Sequence, residues 1–222
     1  DKKISLNRDI LRKILFEGRR VIIPNRYLRM LDLSNISFDN KDLTNTNLSY
    51  TNININPQKI YNKDLSACDL EGVDLSNANF DNVILIECNL KNTNAMINPQ
   101  KIHNKSLCFA NLEGLNLFDA DFNDVNIIGC NLKKTGAYIN PQNIFNKNLS
   151  YTNLEGLNMQ HMNFNNVNIE NTNLKNTNAY INLKNVLYND KTILGRNKNK
   201  NEPMVSLMRN NENINYVFVR KI

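Results

Sequence analysis

The residue types that most often carry out chemistry are few in this chain, and they are not grouped. The two histidines, His103 and His161, lie far apart, and the four cysteines lack the C-x-x-C spacing of a zinc or redox site. No glycine-rich phosphate loop, G-x-S-x-G motif or H-E-x-x-H motif is present. We expect Asp119 and Asp121 to be surface carboxylates that are solvated by water. The sequence therefore predicts no catalytic residue, no metal site and no cofactor.

What repeats instead is a unit of five residues. From Leu65 onward an apolar residue occupies every fifth position, with a second small or apolar residue two places before it and usually Asn or Asp between them. Residues two apart in an extended chain point the same way, and the remaining pairs, such as Ser-Asn and Glu-Gly, favour turns. A period of five cannot keep one side of a helix apolar. Each unit therefore predicts a short strand followed by a bend.

Asparagine is the commonest residue, with 47 copies among 222 residues. Asparagine-rich tracts are often disordered or prone to aggregation. Here the asparagines alternate with Leu, Ile and Phe at fixed spacing. This spacing favours an ordered ladder over disorder.

Three similar segments interrupt the five-residue rhythm: "INPQKI" at 55–60, "INPQKI" at 97–102 and "INPQNI" at 139–144. Their prolines, Pro57, Pro99 and Pro141, recur every 42 residues, whereas two coils of four pentads would take 40. Each segment therefore adds two residues to every second coil, always between the same two sides. Because proline has no amide hydrogen, we expect it at a bulged corner and not in a hydrogen-bonded ladder.

The pattern resembles the pentapeptide repeat family, A(D/N)LXX. Close matches are "ANFDN" at 78–82, "CNLKN" at 88–92, "ANLEG" at 110–114, "ADFND" at 120–124 and "TNLKN" at 172–176. The resemblance covers roughly residues 31–186. It implies an all-β solenoid, a right-handed quadrilateral β-helix of about seven to eight coils.

We expect three parts along the chain. Residues 1–30 form an N-terminal cap with an amphipathic helix at 5–16, and residues 31–186 form the β-helix, because a solenoid must cover its apolar ends. Residues 187–222 form a basic linker and a strand that either caps its own shaft or pairs with another chain. The first residue is Asp and not Met.

The 42-residue unit aligns two columns of core residues. One alternates aromatic and branched aliphatic side chains, which fill a narrow core densely. Its predicted members are Phe38, Ile60, Phe80, Ile102, Phe122, Ile144, Phe164 and Val186. The other predicted column is Leu48, Leu70, Leu90, Leu112, Leu132, Leu154 and Leu174. Three of the cysteines fall in an inward column beside it, where Cys acts as a small apolar group.

Two sets of residues flank the insertions and form a candidate interaction ridge. We call the apolar residue at every fifth position the centre of its pentad. The first set, which directly follows isoleucine centres, is Tyr61, His103 and Phe145. The second set, which directly follows alanine centres, is Met96, Tyr138 and Tyr180. Each member of the second set is followed by an isoleucine, Ile97, Ile139 or Ile181. We expect both sets and these isoleucines to be partly exposed. They either pack locally over the insertion or enter a partner or a second copy.

Charge differs along the chain. The net charge is +6, from an N-terminal segment 1–30 of +6, a shaft 31–180 of −5 and a C-terminal segment 181–222 of +5.

The function most consistent with these features is a non-enzymatic, cytoplasmic scaffold for an unknown protein partner, with a homodimer through an end segment or the insertion edge left open. The alternative, implied by resemblance, is a DNA mimic that binds a type II topoisomerase such as gyrase. Direct nucleic-acid binding is less favoured, and no apolar run is long enough to span a membrane.

Overall fold

The computed structural model describes residues 28–34, 36–182 and 185–194, and the backbone of 217–218. The predicted cap helix at 5–16 and most of the predicted C-terminal linker and strand lie outside the described residues. The number of coils and the nature of both ends therefore stay predictions.

The described chain is a β-helix whose coils stack in parallel. Bridges join residues 22 apart, as in Asn47 to Asp69, and then 20 apart, as in Asp69 to Asn89. The five-residue spacing of buried centres gives each coil four sides, called faces 1 to 4 in chain order. Face 1 is centred on Leu90, Leu112 and their equivalents, face 2 on Ala95 and Leu117, face 3 on Ile102 and Phe122, and face 4 on Leu107 and Ile127. Each coil is named below by its face 1 leucine.

Regular elements are short because each side holds only about three extended residues. Three single turns of 3-10 helix, Tyr61–Lys63, His103–Lys105 and Phe145–Lys147, follow the insertions. Strands β1 (Asn173–Leu174) and β3 (Ile193–Leu194) pair in parallel, while β2 (Tyr180–Ile181) pairs antiparallel with β4 (Val217–Phe218). Strand β4 thus pairs with the last described strand of face 2.

The core runs along the axis of the coils. All the phenylalanines, isoleucines and leucines predicted for the two columns are buried, and Val186 is partly buried against them. Cys68, Cys88 and Cys130 lie in the inward column as free thiols. Burial raises the pKa of the Cys68 and Cys130 thiols, so these groups stay protonated and unreactive.

Asparagine is abundant because two positions of the pentad need it. Before most centres, an Asn or Asp side chain accepts a hydrogen bond from the amide two residues later, as Asn111 does from Glu113 (3.2 Å). At the corners, Asn62, Asn104 and Asn146 adopt left-handed backbone conformations, with φ of 53°, 51° and 51°. Asparagine tolerates this conformation better than most residues.

The stacking continues past Val186, the predicted end of the β-helix, into residues predicted as a linker. The Oγ1 of Thr192 donates to the carbonyl of Ile169 (2.9 Å), just as Thr172 donates to Leu149 one coil earlier (2.6 Å). Leu194 is partly buried against the core beside Leu174. From Leu174 to Leu194 the chain uses two residues fewer than an insertion coil uses between its successive face 1 leucines. A constant spacing applied to the sequence therefore does not predict this register.

Candidate interaction surface

Face 1 carries charges that alternate in sign from coil to coil. The residue after each centre is Glu71, Lys91, Glu113, Lys133, Glu155 and Lys175 in turn. Lys91 lies 3.7 Å from Glu71 and 4.0 Å from Glu113, and Lys133 lies 2.9 Å from Glu155. The hydrogen bond from Lys133 lowers the pKa of the Glu155 carboxyl.

A second ladder on face 1 consists of amides and one carboxylate. Asn89 donates to Asp69 (2.9 Å), Asn131 to Asn111 (3.0 Å) and Asn173 to Asn153 (3.0 Å), each between neighbouring coils. The outward side chains of face 1 are therefore largely occupied by one another.

Face 2 carries Asp32 and Asp74 in its early coils but has no charged residue over 94–98, 116–118, 136–140, 158–160 and 178–182. Here the residue after the centre is apolar or aromatic on three successive coils, because Met96, Phe118 and Tyr138 occupy equivalent positions. They are 76%, 71% and 61% exposed. After Gln160, Tyr180 continues the column at 40% exposure and lies in the strand that pairs with β4. We call Met96, Phe118, Tyr138 and Tyr180 the face 2 column.

Phe118 is a member that sequence reasoning missed. The candidate ridge was sought only beside the insertions, at a spacing of 42 residues, and Phe118 lies in a coil without one. The signal was present, since Phe118 directly follows the centre Leu117 as Tyr138 follows Ala137.

The insertions position this face by tying neighbouring coils together. In the second copy, the Asn98 side chain accepts a hydrogen bond from the Gln100 amide (3.0 Å) and closes the turn. The Gln100 side-chain amide then donates to the carbonyls of Asp121 (3.2 Å) and Asn123 (2.7 Å) on the next coil. Gln58 and Gln142 make the same two bonds. Each glutamine is thus a clamp between coils.

One expectation about the insertions is wrong. Ile97, Ile139 and Ile181, expected among the exposed residues, are buried at 6%, 1% and 0% exposure. Pro57, Pro99 and Pro141 lie in the corner turn, which is closed by the Lys59, Lys101 and Asn143 amides bonding to the Asn56, Asn98 and Asn140 carbonyls, but their rings are buried. The added residues continue the alternation of the strand, so every second side chain points inward and lengthens the apolar core.

The other half of the predicted ridge lies on face 3 and is not continuous with the face 2 column. Tyr61 and Phe145 are exposed and His103 is half-buried. Asp81 separates Tyr61 from His103, and Asn123 separates His103 from Phe145. Polar contacts cross this row, including Lys101 to Asp81 (3.6 Å) and His103 Nδ1 to Asn82 Oδ1 (3.2 Å).

Two further exposed aromatic side chains pack against glycines of the next coil. Tyr50 covers Gly72 and Phe109 covers Gly129, so that a Cβ at either glycine would meet the ring within 2.6 Å or less. The Tyr50 hydroxyl also donates to Glu71 (2.6 Å). These rings pack against their own chain and are less exposed than the side chains of Met96, Phe118 and Tyr138.

Within residues 28–34, 36–182 and 185–194, no group of His, Cys, Asp and Glu is arranged to hold a metal ion. No helix in the described part of the chain is long and apolar enough to cross a membrane.

Comparison with known proteins identifies the repeat. The chain matches the family described as pentapeptide repeats, in eight copies, over residues 64–95, 106–135 and 148–178. The chain belongs to the pentapeptide repeat family. No curated protein sequence matches it.

Two solved pentapeptide repeat proteins are similar to this one. HetL, from the cyanobacterium Nostoc and involved in heterocyst differentiation regulation, is 17% identical, with 62% of this chain and 52% of HetL covered and a TM-score of 0.16. Rfr23, from the cyanobacterium Cyanothece, is 24% identical, with 68% and 61% covered and a TM-score of 0.08. The chain thus spans about half of HetL and three fifths of Rfr23. With TM-scores this low the chains do not superpose as wholes, and neither protein bears on what this chain binds.

The family match omits residues 96–105 and 136–147, which hold two insertions of this pentapeptide repeat protein. Met96 and Tyr138 lie in these omitted segments, whereas Phe118 lies within the match. The face 2 column therefore combines ordinary pentads with the segments in which this chain departs from the family pattern.

Proposed function

We propose that this pentapeptide repeat protein is a non-enzymatic scaffold that binds a protein partner through face 2. The observation that carries the proposal is the uncharged face with Met96, Phe118 and Tyr138 exposed on three successive coils. Interface cores are depleted of charge and enriched in Tyr, Phe and Met. The charged face 1 supports the choice, because its outward groups already bind one another.

A photo-crosslinking amino acid at position 118 tests this proposal, with position 76 as the matched control. Ser76 follows the centre Leu75 as Phe118 follows Leu117, so both positions point outward on face 2. We expect a crosslinked partner at 118 in a lysate of the native cell and none at 76. The substitutions Met96→Ser and Tyr138→Ser should abolish the crosslink. Capture that is equal at both positions, or unchanged by these substitutions, would contradict the proposal.

The DNA-mimic alternative requires a surface that presents negative charge continuously along the shaft. The Glu/Lys alternation of face 1 and the absence of charge on face 2 from residue 94 onward weigh against it. A gyrase supercoiling assay with a large molar excess of this protein tests the alternative. Inhibition or protection of gyrase would favour it over the scaffold.

The described coils also bear on how the shaft ends. We propose that residues 1–30 cover the core at the Leu28 coil and that residues 187–222 cover it at the other end, since an open end would expose apolar side chains to water. The pairing of β4 with β2 supports self-capping at the C-terminal end. Deleting residues 195–222 should then expose apolar surface and increase binding of a hydrophobic dye.

A further inference from the structure

A groove of about 330 Å³ lies between the Leu112 and Leu132 coils, at the corner between faces 2 and 3. Its lining includes Phe118, Asp119, Asp121, Tyr138, Asn140 and Asn143. This corner takes five residues from Leu117 to Phe122 but seven from Ala137 to Ile144. The longer turn at 140–143 therefore forms one wall, over the shorter side of the coil before it.

The groove has a fixed floor. The Gln100 clamp from the preceding coil holds the Asp121 and Asn123 carbonyls, and Asn143 from the following coil donates to the Asn123 side chain (3.0 Å). A ligand would therefore meet a preformed site, which lowers the ordering cost of binding.

Aromatic side chains and carboxylates meet in this groove. Phe118 and Tyr138 are largely exposed and present ring surface to solvent. Asp119 and Asp121 are exposed beside them, and neither lies within ion-pair distance of a Lys or Arg among the described residues. Lys101 of the preceding coil is instead paired with Asp81 (3.6 Å). Ring faces attract cations, and adjacent carboxylates add to that attraction.

We propose that this groove binds an arginine side chain from a basic segment of the protein partner. The inference rests on the proposed scaffold function and names the chemistry of its partner. A planar guanidinium can stack on an aromatic ring while it donates paired hydrogen bonds to a carboxylate, which a lysine ammonium does less well. The larger groove of about 550 Å³, lined by residues 51–55, Gly72 and residues 74–78, has no aromatic lining and is not assigned this role.

The test is an NMR titration of the full chain with the peptide acetyl-Gly-Ser-Arg-Ser-Gly-amide. The same peptide with citrulline in place of arginine keeps the shape but removes the charge. We expect the arginine peptide to shift the amide signals of residues 118–123 and 138–143 in a saturable way. The citrulline peptide should bind about tenfold more weakly, and added salt of about 0.5 M should weaken the arginine peptide.

A matched variant comes from the chain itself. Phe118→Ser, Asp119→Asn and Asp121→Asn together reproduce the Ser-Asn-Ala-Asn sequence of residues 76–79, which the same fold already accommodates. A wild-type-like spectrum outside the groove will show that the variant folds. We expect its affinity for the arginine peptide to fall about tenfold or more.

Several outcomes would overturn the inference: no saturable shift with the arginine peptide, equal affinity for the citrulline peptide, or equal affinity of the variant. If crosslinking at position 118 still depends on Met96 and Tyr138, the scaffold proposal stands without the arginine site. If light scattering shows that the chain self-associates and that the triple variant does not, the groove binds a second copy of this chain. That result would overturn the proposal that the arginine comes from a different protein.

Discussion

Faces 1 and 2 meet along one edge of the shaft and are built from the same pentad, yet they use the residue after the centre in opposite ways. On face 1 this residue is Glu or Lys on successive coils and contacts its neighbours above and below. On face 2 it is Met96, Phe118 or Tyr138, with the side chain largely in water. The five-residue period specifies which side chains point outward. What those side chains bind depends on the residue chosen at each coil.

The two faces also differ beneath the surface. In the insertion coils that begin at Leu90 and Leu132 the face 1 centre is a leucine, while the face 2 centre is an alanine, Ala95 or Ala137. The buried Ile139 and Pro141 supply the apolar volume that a small centre leaves unfilled. Face 2 is thus wider in these coils, and its core is spread over more residues.

The largest effect on stability should come from placing an alanine at a centre of face 1, as face 2 has in its insertion coils. Leu132→Ala removes a fully buried side chain, and no neighbouring insertion is available to fill the cavity. We expect a loss of about 2–5 kcal/mol in the free energy of unfolding, measured by urea denaturation. A loss below about 1 kcal/mol would mean that the two faces pack alike.

The next effect concerns the clamp at the edge of face 2. Gln100→Ala removes two hydrogen bonds to carbonyls that water can partly reach, so we expect a loss of about 1 kcal/mol. Gln160→Ala is the matched control, because the Gln160 side chain is exposed and makes no hydrogen bond within the described residues. Equal losses in the two variants would show that the clamp does not stabilise the coils.

A smaller effect should distinguish face 1 from face 2 through the pH dependence of stability. Hydrogen bonds from Tyr50 and Lys133 lower the pKa of the Glu71 and Glu155 carboxyls below the usual 4.5. Their contribution to stability is therefore present above about pH 4.5 and is lost as the pH falls through the lowered values. We expect Glu71→Gln with Glu155→Gln to reduce the fall in Tm between pH 7 and pH 3, whereas Phe118→Ser should leave that fall unchanged. An equal fall in Tm for both variants would contradict the assignment to face 1.

The sequence was sufficient for the core and insufficient for much of the surface. Period and insertion length placed Phe122 and Leu112 correctly, because burial repeats with the backbone. Ile97 was misplaced, since its burial depends on a seven-residue side that continues the strand as far as the turn at Pro99. Leu194 was missed because the last coil is shorter than a constant count allows. The contacts of Gln100 join residues 21 and 23 apart, and a pattern of single positions does not reveal them.

The smallest effect on stability should accompany the largest effect on binding. Phe118 and Tyr138 are mostly exposed, so Phe118→Ser with Tyr138→Ser should change the free energy of unfolding by less than about 0.5 kcal/mol. Urea denaturation measures this change, and the crosslink from a probe at Met96 measures partner binding in the same variant. If the rings instead packed locally over the insertion, as Tyr50 packs over Gly72, the double variant would lose more than about 1 kcal/mol. If the crosslink is lost while stability is unchanged, these side chains bind a partner and do not stabilise the fold. The side chains of face 1, in contrast, bind one another.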